Sequence, residues 1–166
     1  MSQVPGTNPW ITHFTTCIEE ERFHERWTLN FNYNLQAELT VQKRAEGWKI
    51  YKTSSFGKFT CNVCSNSWSS ARAIILFHYR LTKKSGLVLL RPFRQQCREC
   101  MNPRLHKPQV DSTQMNQVFD RLISKILKNC YKFPDVDDKV RDLIPRKTKP
   151  HETAYCEACR LGICSF

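Results

Sequence analysis

The sequence predicts an α+β fold in which an antiparallel β-sheet is accompanied by two or three helices. Apolar residues alternate from Trp27 to Leu35, recur at helical spacing from Met115 to Cys130, and surround three Cys-x-x-Cys pairs, Cys61/Cys64, Cys97/Cys100 and Cys156/Cys159, the last followed by Cys164. Two thiolates three positions apart can point from one tight turn at a single ion, so each pair is half of a tetrahedral zinc site. Three halves and a further cysteine imply two sites. The expected sheet is therefore a zinc-ribbon-like domain stapled by structural zinc, a single domain over residues 1–166.

Taken in order, Asn8-Pro9 is an N-cap followed by proline at the first helical position. Trp10, Ile11, Phe14, Cys17 and Ile18 then recur at helical spacing and predict a packing helix over 8–22, with Cys17 a buried thiol on its apolar stripe. The period changes to two at Trp27. Trp27, Leu29, Phe31, Tyr33 and Leu35 alternate with polar residues, the pattern of a strand with one buried face. A second strand follows Gly47 over Trp48 to Thr53, and Phe59 leads into the first cysteine pair. Ala71 to Leu81, the polar turn Thr82 to Gly86, and Leu87 to Gln96 read as a hairpin joining two metal knuckles. The sheet and both knuckles thus occupy 27–100. The 32 residues between Cys64 and Cys97 exceed the about 15–20 of a minimal ribbon.

Asp111 or Ser112 caps an amphipathic helix over 112–131, whose stripe runs Met115, Val118, Phe119, Leu122, Ile123, Ile126, Leu127 and Cys130. Cys130 is assigned to the core with that stripe. Pro134 stops the helix, 134–150 reads as a mobile polar loop, and 151–164 is a third zinc-binding segment, a tail expected to fold over the body and be clamped there by metal.

The nine cysteines are an odd count, and the polar start of the chain is no secretory signal, so metal ligation in a reducing compartment is favoured over disulfides. Two tetrahedral sites need eight ligands, and Cys61, Cys64, Cys97, Cys100, Cys156, Cys159 and Cys164 supply seven. His151, placed by Pro150 five residues before Cys156, is the most economical eighth; His78 and His106 are the alternatives, and His13 and His24 read as ordinary histidines. How the ligands divide between the two sites is not legible. Signatures of zinc deaminases, metalloproteases, serine hydrolases and phosphate-binding loops are absent, and closed thiolate-rich sites are structural, so a non-enzymatic protein is expected.

No stretch approaches the length of a membrane span. The formal charge of +11 falls to about +8 once seven thiolates bind two dications. A surface this basic suits nucleic acid, anionic headgroups or acidic protein segments. Lys83, Lys84, Arg91, Arg94, Arg98, Arg104 and Lys107 on the hairpin and second knuckle are candidate phosphate contacts, with Trp68, Tyr79 and Phe93 as stacking partners.

The order Trp27/Leu29, Gly47-Trp48 with Tyr51, Phe59 with Cys61/Cys64, Trp68 with Ser70-Ala71, and Leu76-Phe77-His78 continues as Arg91/Phe93/Gln95 with Cys97/Cys100, the helical segment ending Ile126 to Tyr131, and Cys156-Glu157-Ala158-Cys159 with Gly162 and Cys164. This pattern resembles the receptor-transporting proteins with their 3CxxC-type zinc finger. The resemblance implies a cytoplasmic zinc-binding adaptor, a chaperone in the sense that it helps G-protein-coupled receptors such as odorant or taste receptors reach the cell surface. It also implies an alternative, since one branch of the family is interferon-induced, antiviral and active in innate immunity, and a related finger binds RNA: partners would then be single-stranded or viral RNA. Family members usually continue into a hydrophobic anchor beyond the last cysteines, whereas the sequence stops at Phe166 and is expected to be either an excised domain or a naturally soluble member. The full-length protein is expected at the cytosolic face of the endoplasmic reticulum or plasma membrane, with these residues as a soluble part.

Overall fold

The computed structural model describes residues 8–100, 102–133 and 151–164. The expected loop over 134–150 lies outside the described residues. Three strands form a meander in which β2 (Lys49–Thr60) pairs antiparallel with β3 (Ser67–Leu81), and β3 pairs antiparallel with β4 (Ser85–Pro92). The fourth, β1 (Arg26–Phe31), joins the far edge parallel to β4, giving the order β1-β4-β3-β2. The central strand explains itself in the sequence. Ala73 to Tyr79 are buried without interruption, because side chains on both faces of β3 meet a covering layer.

The first layer is helical. In α1 (Pro9–Glu19) the Asn8 side chain accepts from the Trp10 N–H, Pro9 opens the helix, and Trp10, Phe14 and Ile18 are buried. In α3 (Ser112–Cys130) the Asp111 carboxylate caps the Gln114 N–H, and the stripe from Met115 to Ile126 is buried. These residues form one core with Trp27, Leu29, Ile75, Phe77, Tyr79, Val88 and Leu90, in which the Phe119 ring meets Trp10 and Phe14 edge-on. Cys17 and Cys130 pack against this core, and neither belongs to a metal-competent group among the described residues.

Opposite that layer the cover is irregular. The alternation from Trp27 predicted a strand to Leu35, but β1 ends at Phe31. The Asn32 side chain accepts from the Asn34 N–H at 2.9 Å, and this Asx turn diverts the chain. Leu35 is buried in a second core with Ile74, Leu76, Phe93, Cys156, Ala158 and Ile163 instead. Because β1 and β2 both begin at the hairpin-turn end, the chain after β1 must recross the sheet through 32–48, including the unforeseen short helix α2 (Val41–Ala45). The crossing carbonyls are satisfied by buried side chains: Arg91 Nη1 donates to the Leu35 carbonyl at 2.7 Å, and His78 Nε2 donates to the Gln36 carbonyl at 2.9 Å. Lys43 Nζ donates to His78 Nδ1 at 3.0 Å, which fixes the tautomer.

A two-residue ladder, β5 (Gln95–Gln96) with β6 (Leu105–His106), follows β4, and the tail adds a 3-10 turn (Thr153–Tyr155) and α4 (Glu157–Arg160). Among the described residues two helices are thus long, as expected, and two are short. No helix among the described residues is long and apolar enough to cross a membrane.

Gly86 sits opposite Trp27 across β1 and β4, and a Cβ there would lie 2.0 Å from the indole Cδ2. That indole also donates to Tyr131 Oη at 3.1 Å, while Phe23 stacks on the Tyr131 ring at 4.4 Å. Gly86→Ala is therefore expected to lower stability by about 1–3 kcal/mol, measured by chemical denaturation; an unchanged midpoint would contradict the packing. Burial, with Lys43 beside it, lowers the His78 pKa despite the bond to Gln36. A neutral buried imidazole supports the fold above its unfolded value of about 6.5 and loses that support as the pH falls. The stability advantage of the natural chain over His78→Gln should accordingly shrink from about pH 7.5 to 5.5, and a pH-independent difference would refute it.

Candidate metal centres

The first knuckle is shaped by its backbone. Cys61 N–H donates to the Asn66 carbonyl at 2.8 Å and Ser65 N–H to the Cys61 carbonyl at 2.9 Å, with Ser65 at φ 64° closing the turn and the Val63 N–H aimed at Cys61 Sγ. Behind it Phe59, fully buried, stacks on Trp68 at 5.4 Å. Trp68 Nε1 in turn donates to Gln95 Oε1 at 3.0 Å, so the strand leaving the first knuckle is locked to the ladder entering the second. Cys61 Sγ lies 3.6 Å from Cys100 Sγ, and Cys64 Sγ lies 3.6 Å from Cys97 Sγ.

The second group assembles within the tail. Cys156 opens α4, Gly162 at φ 70° reverses the chain after it, and Ile163 N–H returns to the Ala158 carbonyl at 2.8 Å. Cys159 Sγ and Cys164 Sγ then lie 3.1 and 3.6 Å from His151 Nε2. The eight ligand atoms form two groups, Cys61/Cys64/Cys97/Cys100 and His151/Cys156/Cys159/Cys164, each within 4.8 Å of one another.

Both groups fit zinc. A tetrahedral ion bound at about 2.3 Å by sulfur and 2.0 Å by nitrogen sets sulfur–sulfur edges near 3.8 Å and nitrogen–sulfur edges near 3.6 Å, close to the spacings present. Electrostatics agree. Burial opposes the Cys97 thiolate, but the N–H groups of Cys100 and Glu99, the Asn66 amide and Cys64 bring it down to about 6. At Cys64 the Asn66 N–H favours the thiolate, yet burial and the thiols of Cys97, Cys100 and Cys61 push it up to about 12. Four thiolates cannot share this space without a cation. Burial and then the charges of Arg72 and Arg98 lower the His151 pKa, keeping the imidazole neutral as a metal donor must be. Two zinc ions per chain supply the charge that permits the thiolates and cross-link the turns that carry them.

His78 and His106, the alternative donors, stand elsewhere: His78 holds the crossover, and His106 is buried edge-on to Trp68. The expectation that metal clamps the tail onto the body needs correction, because all ligands of the second group belong to the tail itself. Docking rests on other contacts. The Glu157 carboxylate, missed in the sequence although it stands between two ligands, accepts from the Arg94 N–H at 3.0 Å and from Arg94 Nη2 at 2.8 Å, with Arg91 Nη2 3.7 Å away. Burial opposes its charge, but these partners hold its carboxyl below the usual range. Lys52 Nζ donates to the Ile163 carbonyl at 2.6 Å, Arg98 pairs with Glu152 at 2.7 Å, Arg160 reaches Gln96 Oε1, and Gln95 bridges to Cys156.

These contacts also dismantle the expected phosphate-binding row. Arg91 is buried against the Phe93 ring, Arg94 and Arg98 are ion-paired within the fold, and Lys107 lies over Tyr33. Tyr79 and Phe93 are wholly inside and offer no face to a base, whereas Trp68 is half-buried with one face stacked on Phe59. Arg104 is exposed near the second knuckle, whereas Lys83 and Lys84 are exposed at the far hairpin turn.

A sequence profile described as a zinc-binding domain of 3CxxC ribbon type matches residues 54–162. Receptor-transporting protein 4 of Homo sapiens is 33% identical over 93% of this chain and 63% of its own length. Receptor-transporting protein 3 of Mus musculus is 32% identical over 98% of this chain but 34% of its own length, and receptor-transporting protein 1 of Mus musculus 29% over 95% and 59%. The chain therefore spans between about a third and two thirds of these relatives. No solved structure matches.

Because its ligands are local, the second site should survive loss of the docking carboxylate. Glu157→Ala is expected to retain two zinc ions by elemental analysis while losing about 1.5–3 kcal/mol of stability and exchanging the amides of 156–164 faster. Loss of one zinc would show instead that docking and metal binding are inseparable.

Proposed function

Because the chain belongs to the zinc-binding 3CxxC family of the receptor-transporting proteins, we propose that it is a non-enzymatic adaptor that assists the passage of membrane receptors to the cell surface. The observation that carries this reading is the extent of the likeness, which runs over 93% and 98% of the chain to relatives named for receptor transport. G-protein-coupled receptors are the class implied by the family resemblance. In this reading Cys61, Cys64, Cys97 and Cys100 hold one zinc and His151, Cys156, Cys159 and Cys164 the other, each ion with four protein donors and no open position for substrate, as structural sites require. The metals give the domain its shape, and the receptor meets the surface they stabilise. The protein acts at the cytosolic side of the membranes that receptors traverse.

Co-expression with a chemosensory receptor, read by surface staining of intact cells, tests the reading. Surface receptor should rise several-fold with the natural chain and fall to the control level with Cys97→Ser/Cys100→Ser. Equal staining with and without the chain would overturn it.

A further inference from the structure

The topology gathers a charged rim at the end of the sheet remote from the metal. The β3–β4 turn carries Lys83 and Lys84, both exposed. On one face of the sheet, three to five residues before this turn, α2 is fastened by Lys43 to His78, and Arg80 and Lys43 both pack on the Trp48 ring, at 4.7 and 5.0 Å. This leaves Arg44 and Val41 of α2 facing water, Val41 with 87% of its surface exposed. On the other face the end of α3 is fastened at the same level, where Asn129 Nδ2 donates to Tyr79 Oη at 2.8 Å. There the chain leaves the helix through Lys132 in the left-handed region at φ 53°, a conformation glycine would adopt with less strain, and Phe133 N–H returns to the Leu127 carbonyl. Lys132 is exposed and Phe133 is 54% exposed.

Three elements therefore end together, each tip offering cations and two of them adding a bare apolar side chain. None of Arg44, Lys83, Lys84 and Lys132 forms an ion pair among the described residues. Of the acids at this end, Glu46 pairs with Arg80 at 4.0 Å and Glu25 accepts from Tyr131, whereas Glu19 to Glu21 are exposed at the end of α1 and Glu38 is exposed ahead of α2. At about 3.3 Å per residue, β3 separates the rim from the first knuckle by roughly 45 Å.

We propose that this rim, Val41/Arg44, Lys83/Lys84 and Lys132/Phe133, docks the domain on an anionic lipid surface. The surface is made of projecting tips, not a groove, and its exposed apolar residues stand beside lysines and arginine. A single-stranded nucleic acid calls for a groove that tracks its backbone and for stacking rings, and Tyr79 and Phe93 are inside the fold while Trp68 stands at the opposite end of β3 from this rim. A headgroup layer instead presents a flat field of negative charge over an apolar interior, which lysines approach and a phenylalanine and a valine enter. Docking by this end points the first metal centre away from the lipid. The proposal needs no receptor, so it stands or falls separately from the adaptor reading.

The zinc-loaded chain is mixed with vesicles of phosphatidylcholine alone or with three parts in ten phosphatidylserine, and bound protein is measured by flotation. Binding is expected only to the anionic vesicles and to weaken steeply with salt. Lys83→Glu/Lys84→Glu should reduce it at least tenfold. Val41→Ser/Phe133→Ser should reduce it at every salt concentration, leaving the salt dependence unchanged. Unaltered circular dichroism and two zinc ions per chain establish that each variant is folded. Equal binding to both vesicle types overturns the proposal, as does full binding by the charge-reversed variant. So does a single-stranded RNA that binds through Lys83 and Lys84 while Phe133→Ser leaves vesicle binding unchanged.

Discussion

Side chains of β3 leave the strand alternately to either face, and Ile74, Ile75, Leu76 and Phe77 are all buried. Both sides of the sheet must then be kept dry, and among the described residues long helices cover only one of them. The rest of the architecture follows from that shortage. α1 and α3 cover one face with an ordinary apolar layer. The other is closed by a recrossing loop and a tail of short turns, segments that bring many backbone polar groups and few apolar side chains. Such a cover holds only if its polar groups find partners and its turns are prevented from unravelling. Buried Arg91 and His78 provide the first; metal-competent turns and the Glu157 carboxylate provide the second.

This division of labour changes the meaning of the positive charge. A net charge of +11 suggests a surface saturated with binding capacity. Much of the charge around the second knuckle is consumed internally, where Arg91, Arg94 and Arg98 hold the tail and Lys107 lies on an aromatic ring. Arg104 and Lys107 stay exposed beside the second knuckle, and Lys83 and Lys84 are exposed at the far hairpin turn. The electrostatic footprint of this molecule is thus set by which cations the second cover leaves over.

Features with a strong local signal were legible in the sequence. The stripe of α3, the capped start of α1, the continuous apolar run of β3 and the knuckle spacing each announce themselves within a few residues. The eight residues of the two metal groups were also picked out, because ligand chemistry and spacing limit the choice. What escaped depends on distant partners. The alternation through Tyr33 and Leu35 looks like strand until the Asn32 turn is known to lift Leu35 into a different core. Nor does anything near Arg26 to Phe31 reveal parallel pairing with a strand more than fifty positions away. Arg91 looked like a free cation, although its place in the run Leu89, Leu90, Pro92, Phe93 is the trace of burial that a count of charges overlooks. Glu157 was read only as part of a motif, since its partners lie 63 positions away.

The two metal groups differ in the span of chain they enclose. Contacts in the first join residues 33 and 39 positions apart, whereas His151 meets Cys159 and Cys164 across 8 and 13. Loop-closure entropy separates such spans by only about 1 kcal/mol, so the difference lies in what each loop contains. The first encircles the central hairpin, and an error there propagates into the sheet. The second encircles its own few residues, so the tail can shape its own turns before it docks on the sheet. Sequence change that keeps these four ligands can alter the turns between them, while Ala158, Ile163 and Glu157 still have to match the sheet they cover.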